Sequence, residues 1–142
     1  MLGIILLTGA VVFGCQCARW YLEREDRKES EHLGGRIRLT ALRNDGSAFG
    51  LLPIKGGALA ALSAAVMALC VWLYRGCRLG CALLLGGGIS NLWERVRHGS
   101  VFDYIVFPKA SEKLRRYVFN LADIAIFLGA IAIVLGTRKR KE

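Results

Sequence analysis

The chain has 142 residues, 54% of them hydrophobic, and a formal net charge of +9 from 20 basic and 11 acidic residues. That length fits one domain. The apolar residues fall into four blocks divided by charged stretches, a segregation that excludes a single soluble core. The basic residues flank those blocks and build no basic amphipathic helix or aromatic platform, so the charge points to anionic lipid headgroups and away from nucleic acid.

The first block runs from about Met1 to Ala18, with no charge before Arg19. A cleaved signal peptide would need a basic start and a small-x-small site ahead of the charged region. Neither is there, and a retained membrane helix over 1–18 is the expectation. Arg19 to Glu31 is charge-rich, a solvated extension of that helix or a linker. From Arg36 to Leu42 the pattern alternates, with Ile37, Leu39 and Ala41 on one face and Arg36, Arg38 and Thr40 on the other, which predicts a short strand. Asn44-Asp45-Gly46 is a turn signal. The external loop 19–55 is therefore expected to form a small extramembrane sheet.

Gly56 to Leu73 is an uncharged run close to the ~20 residues a spanning helix needs. The third block, about Leu79 to Leu92, contains Gly86-Gly87-Gly88, which lets helix backbones approach closely. An external segment over 93–117 follows, broken at Pro108 and closing on a basic turn from Lys113 to Arg116. The fourth block, Val118 to Gly136, is long enough to span but carries Asn120 and Asp123. The resulting expectation is an all-α polytopic membrane protein, a single domain over 1–142 with spans at about 1–18, 56–73, 79–92 and 118–136.

Four spans place both termini on one side. Arg75 and Arg78 in the short loop, with Arg138-Lys139-Arg140-Lys141 in the tail, assign that side to the cytoplasm. The raw count runs the other way, since the two longer loops hold 14 of the 20 basic residues, but six acids nearly balance the first of them. Trp20, Trp72 and Trp93 fall near span ends, as interfacial anchors do.

Five cysteines are an odd number, in no ligand-like arrangement and mostly inside apolar blocks; they read as packing residues, and no metal site is expected. His98 reads as a solvated or hydrogen-bonding side chain, and His32 carries no signal. Of the eleven acids, nine sit in polar surroundings. Asp103, in Val-Phe-Asp-Tyr-Ile, and Asp123, in Leu-Ala-Asp-Ile-Ala, do not. A carboxylate inside a spanning helix costs roughly 2.5–3.5 kcal/mol on insertion scales, which marks a functional position. The residues alone also allow a structural role, with Asp103 capping a helix or pairing with Arg95 or Arg97. The topology places both acids near the outer edge of the membrane, with Asn120 three residues before Asp123 on the same helix face. Two carboxylates held close share one proton, a state suited to hydrolysis by an activated water.

Three motifs stand in order relative to the spans: Asn44-Asp-Gly-Ser-Ala-Phe49, Gly87-Gly-Ile-Ser-Asn91-Leu-Trp-Glu-Arg95 leading to His98-Gly-Ser-Val-Phe-Asp103, and Phe119-Asn-Leu-Ala-Asp123. Together they resemble the lipoprotein signal peptidases, the bacterial type II signal peptidases, from about Asn44 to Gly129. The resemblance implies that Asp103 and Asp123 form a catalytic pair. It implies that Asn44, Asn91, Arg95 and Asn120 line the active site, with Gly46, Phe49 and Glu94 in support. It further implies an aspartic endopeptidase of the bacterial inner membrane, acting without a cofactor and probing substrate at the outer face. That enzyme would cut prolipoproteins just before a diacylglyceryl cysteine, and it is expected to be a monomer. Two departures stand out. Glu94 replaces the family's usual aspartate, and the family's Asp-Gln-x-x-Lys reads Cys15-Gln16-Cys17-Ala18-Arg19, with the acid lost. They support a second reading, a paralogue that binds lipidated substrates or partners without cutting them. A third, a small transporter or channel subunit, would use Asp123 as a relay and gives no reason for Asn44 or for Asp103.

Overall fold

The structure is a computed structural model that describes residues 2–24, 30–45, 57–74 and 76–138. Its element order is α1 (Leu2–Arg24), β1 (Ser30–His32), β2 (Ile37–Asn44), α2 (Gly57–Tyr74), α3 (Arg78–His98), β3 (Val101–Val106), a 3-10 turn (Leu114–Arg116) and α4 (Leu121–Arg138). Apolar side chains give these long segments nothing with which to pair their own backbone, so the backbone pairs with itself as helix. Among the described residues one helix, Leu2–Arg24, is long and apolar enough to cross a membrane; Ala61–Leu73 and Leu121–Gly136 are shorter apolar helices.

α1 and α3 run parallel at a constant offset. Thr8 Oγ1 donates to the Ala82 carbonyl at 3.5 Å, Gln16 Nε2 donates to Ser90 Oγ at 2.9 Å, and Arg19 Nε lies 3.8 Å from a Glu94 carboxylate oxygen. α4 runs antiparallel to α3, and glycines make the contact. A Cβ on Gly80 would lie 2.6 Å from Ile133 Cγ1, one on Gly129 would lie 2.7 Å from the Leu84 amide nitrogen, and one on Gly87 would meet the Ala122 carbonyl. Met67, Cys81, Leu84 and Ile133 fill the core at this level. Gly87 lies one turn before Asn91 and faces the turn of α4 that carries Asp123. Gly87→Val is therefore expected to force α3 and α4 apart beneath the site. The protein should lose ~1–3 kcal/mol or more of stability, read as a lowered Tm in detergent.

α3 is two turns longer than the predicted span and ends at Gly99, whose φ of 73° is left-handed and whose N–H donates to the Arg95 carbonyl at 2.9 Å. Arg95, Arg97 and His98 complement the C-terminal end of the helix dipole. The chain then turns into β3, a strand the sequence reading did not contain, having treated 93–117 as an irregular external segment. β3 pairs antiparallel with β2 in the order β1-β2-β3, with Asn44 opposite Val101 and Leu42 opposite Asp103. A bulge between Leu39 and Leu42 breaks the predicted alternation in β2. Ile37 and Leu39 pack on Phe102, Tyr104 and Ile105, while Ala41 is turned out and exposed. On its far side β3 exchanges backbone hydrogen bonds with Phe119, N–H to O at 2.7 and 2.8 Å. That exchange fixes where the last helix starts.

α4 begins at Leu121, three residues after the predicted start of its span, because Asn120 caps it. The Asp123 N–H donates to Asn120 Oδ1 at 2.9 Å, and the Asn120 N–H donates to Asp123 Oδ2 at 3.0 Å. This reciprocal pair is a capping box made from Asn and Asp. Asn120 and Asp123 therefore meet through the cap and not as two residues on one helix face.

Candidate active site

Four elements converge on one cleft. β2 supplies Asn44, α3 supplies Asn91 and Arg95, β3 supplies Asp103, and the cap of α4 supplies Asn120 and Asp123. The cleft is lined by Asn44, Asn91, Arg95, Asp103 and Asp123 with Val101, Val118 and Phe119, and holds about 20 Å³, room for a single water molecule.

Asparagine amides join the two carboxylates. Asn44 Nδ2 donates to Asp103 Oδ2 at 3.0 Å, and Asn120 Nδ2 donates to Asp103 Oδ1 at 2.8 Å. Asn120 Nδ2 also donates to Asn91 Oδ1 at 3.1 Å, and Asn91 Nδ2 passes the connection on to Asp123 Oδ1 at 2.9 Å. Both hydrogens of the Asn120 amide and its carbonyl are thus committed, and its orientation is fixed by its partners. Asp103 is only 3% exposed, whereas Asp123 is partly open to the cleft. Arg95 lines the same cleft as the sole cationic side chain among its described residues and acts electrostatically on both acids.

Burial pushes the Asp103 carboxyl up to about 6, with the Asp123 charge adding to the effect; the Asn44 and Asn120 amides and Arg95 oppose it. The linkage has a definite sign. A carboxyl whose folded pKa is raised stabilises the fold fully below its unfolded value near 3.8, and that contribution is lost as pH rises through about 6. The wild type is expected to lose stability between pH 4 and pH 8, by at most on the order of 3 kcal/mol. Asp103→Asn should show a flatter Tm over the same range.

All six predicted catalytic and substrate-binding residues, Asp103, Asp123, Asn44, Asn91, Arg95 and Asn120, are thus brought together. Neither structural alternative for Asp103 is seen: it sits in a strand, bonded to asparagines. Gly46 and Phe49 lie outside the described residues. Glu94 is in a different place. It is buried behind the cleft, where its Oε2 accepts the Phe102 N–H at 2.8 Å and its Oε1 faces Arg19. Counting it among acids in polar surroundings was a misreading: its sequence neighbours are polar, but α1 and β3 cover it.

A layer behind the cleft was not foreseen. Gln16 bonds Ser90, Arg19 bonds Gln16 and Glu23, and Glu23 also pairs with Arg43 of β2. Cys15, at the position of the missing acid, is buried near Ser90. The signal was present in the spacing, since Gln16 and Arg19 on α1 and Ser90 and Glu94 on α3 each mark one polar face of a helix. Tyr104 was also missed; its hydroxyl accepts the Leu121 N–H at 3.1 Å and completes the start of α4.

A lipoprotein signal peptidase of Nitrobacter hamburgensis is 39% identical over 90 residues, covering 59% of this chain and 51% of that protein. One from Brucella ovis is 38% identical over 107 residues, covering 70% of this chain and 66% of that protein. The chain thus spans between half and two thirds of the length of these relatives. Two solved structures of a bacterial membrane enzyme, obtained by the in meso method at 2.3 and 1.9 Å resolution, share the fold with TM-scores of 0.83 and 0.82 at 22% identity. They cover 100% and 96% of this chain, and 91% and 93% of their own. The family model for signal peptidase (SPase) II matches residues 7–138, and the chain belongs to the signal peptidase II family of bacterial membrane proteases.

Proposed function

We propose that the chain is an intramembrane aspartic endopeptidase that removes signal peptides from prolipoproteins before a diacylglyceryl cysteine, with Asp103 and Asp123 as its catalytic pair. The observation that carries this reading is the amide-linked pair of carboxylates at a cleft with room for one water. Asp123, open to the cleft, takes a proton from that water as it attacks the scissile carbonyl, and the protonated Asp103 donates to the developing oxyanion. The proton then passes to the leaving amine. Asn44, Asn91 and Asn120 hold the carboxyls in place, and Arg95 offers charge to the peptide backbone or the developing oxyanion. The pair titrates as a unit, and neither a metal nor a nucleophilic side chain enters the chemistry.

The membrane setting is part of the proposal. Leu6 and Phe13 on α1, Leu62, Val66 and Leu69 on α2, and Phe127, Ile131 and Val134 on α4 are all exposed. So much apolar surface around a bundle suits hydrocarbon and not water. The four helices are read as four spans of one membrane domain over 1–142, monomeric, in the bacterial inner membrane. Both termini are cytoplasmic, and the sheet and cleft lie toward the outer face. A lipid-anchored substrate brings its scissile bond to that boundary.

The test compares a prolipoprotein carrying a diacylglyceryl cysteine with the same precursor unmodified, the cleaved bond being located by mass spectrometry. Cleavage immediately before the lipidated cysteine, with the unmodified precursor cut at least tenfold more slowly, supports the proposal. Equal cleavage of both, or a cut elsewhere, overturns the substrate assignment.

A further inference from the structure

Two tryptophan–arginine pairs stand outside the cleft, at one height. Thr8 meets Ala82 and Gln16 meets Ser90, each 74 residues apart, so a position on α1 lies level with the position 74 further on in α3. By that offset Trp20 stands level with position 94 and Arg24 with position 98. Trp93 and Arg97 are each one residue away from those levels. Both tryptophans are half exposed, 56% for Trp20 and 51% for Trp93. Each is covered by the arginine four residues on: the Arg24 guanidinium carbon lies 4.6 Å from the Trp20 ring centroid, and that of Arg97 lies 5.8 Å from the Trp93 ring.

The surface below each pair is apolar. On α1, Leu6, Phe13 and Trp20 recur every seven residues and are all exposed; on α3, exposed Leu79 and Ile89 precede Trp93. Hydrocarbon-suited surface thus gives way to an indole and then, about 6 Å further along the axis, to a cation. Among the described residues neither arginine has an acidic partner in an ion pair, whereas Arg19, Arg38, Arg43 and Arg115 all do. Each guanidinium lies over an indole, and the planar N–H fork of a guanidinium matches the oxygens of a phosphate.

We infer that Trp20–Arg24 and Trp93–Arg97 form a binding site for the phosphate headgroups of anionic phospholipid, placed at the end of the bundle that holds the cleft. The inference rests on the membrane reading of the proposed function but not on the protease chemistry. Its occupant is a lipid because the approach to each arginine is an apolar stripe capped by an indole, which a free phosphate would not use. Two pairs at one level hold the bundle against tilting and set the depth of Asp103 and Asp123 relative to the headgroups.

The full chain is reconstituted in phosphatidylcholine bilayers containing a minor fraction of phosphatidylglycerol, as proteins keeping Trp20 alone or Trp93 alone with the other tryptophans changed to Phe. Quenching by brominated phosphatidylglycerol is compared with quenching by brominated phosphatidylcholine at equal mole fraction. The anionic lipid is expected to be enriched about fivefold around each indole. Arg24→Gln should remove that preference at Trp20 but not at Trp93, and Arg97→Gln should do the reverse. Equal quenching by the two lipids, a preference that survives the arginine changes, or no quenching by either lipid overturns the inference. Because the readout is lipid proximity, a loss of cleavage activity neither supports nor weakens it.

Discussion

Asp123→Asn and Asp103→Asn are each expected to lower kcat for prolipoprotein cleavage by at least 10³-fold while leaving KM within a few-fold. Removing one member of a general acid–base pair typically costs ~10²–10⁴, and here one water depends on both. The two variants should differ in stability. Asn at 123 can keep one acceptor for the Asn120 N–H, but its amide faces the Asn91 Nδ2 donor unless that side chain turns over. Asn at 103 meets the Nδ2 groups of both Asn44 and Asn120, so one of three amides must reorient. Relief from the buried carboxyl's raised pKa offsets that rearrangement above pH 6. Single-turnover rates with Tm measured alongside separate lost chemistry from lost fold. A variant at either position that keeps more than a tenth of the wild-type kcat contradicts a catalytic role for it.

Asn120→Ala should have the second largest effect, and on two quantities at once. The side chain caps α4, donates to Asp103 and donates to Asn91. Loss of an N-cap costs about 1 kcal/mol. Each buried partner left without its hydrogen bond costs ~1–3 kcal/mol more. A total on the order of 3 kcal/mol should lower Tm by several degrees. Activity should fall ~10²-fold or more, because Asp103 and Asn91 lose their shared anchor. Asn120→Asp tests the same point differently. It keeps the cap acceptor but replaces the donor with a charge beside Asp103, so it should restore helix stability without restoring the rate. If Asn120→Ala lowers Tm yet leaves kcat within threefold, the amide bridge is structural only.

The helices were legible because apolar runs of this length have few other solutions, and Asp103 and Asp123 were legible because each stands among apolar neighbours, whereas Asn44, Asn91 and Arg95 were reached through the resemblance of the motifs. The limits were set by partners distant in the chain. β3 was invisible because Val101–Val106, apart from Asp103, is apolar on both faces and shows no alternation, and its partners β2 and Phe119 lie outside the segment. Asn120 was placed in the right site with the wrong geometry, since only the backbone pairing of Phe119 with β3 makes it a cap rather than a helical residue. Glu94 looked solvated because charge surrounds it in sequence. The fold encloses it between Arg19 and the Phe102 N–H, next to the strand residue that matters most. That enclosure also bears on the two departures from the family pattern. The longer Glu94 arm reaches a backbone N–H beside Asp103, and Cys15 is accommodated against Ser90. Among the described residues no buried side-chain polar atom lacks a hydrogen-bond partner. The polar layer thus closes without the lost acid, and the two departures leave the hydrogen bonds of the cleft intact.

Incubating the purified wild-type chain in detergent with a diacylglyceryl-modified prolipoprotein, and following the substrate by gel shift, would decide between a working enzyme and a paralogue that only binds. Appearance of the shortened lipoprotein, absent when Asp103→Asn replaces the wild type, is the predicted result. Intact substrate after prolonged incubation with a protein whose Tm shows it folded would contradict the protease reading and leave a protein that binds lipidated precursors without cutting them.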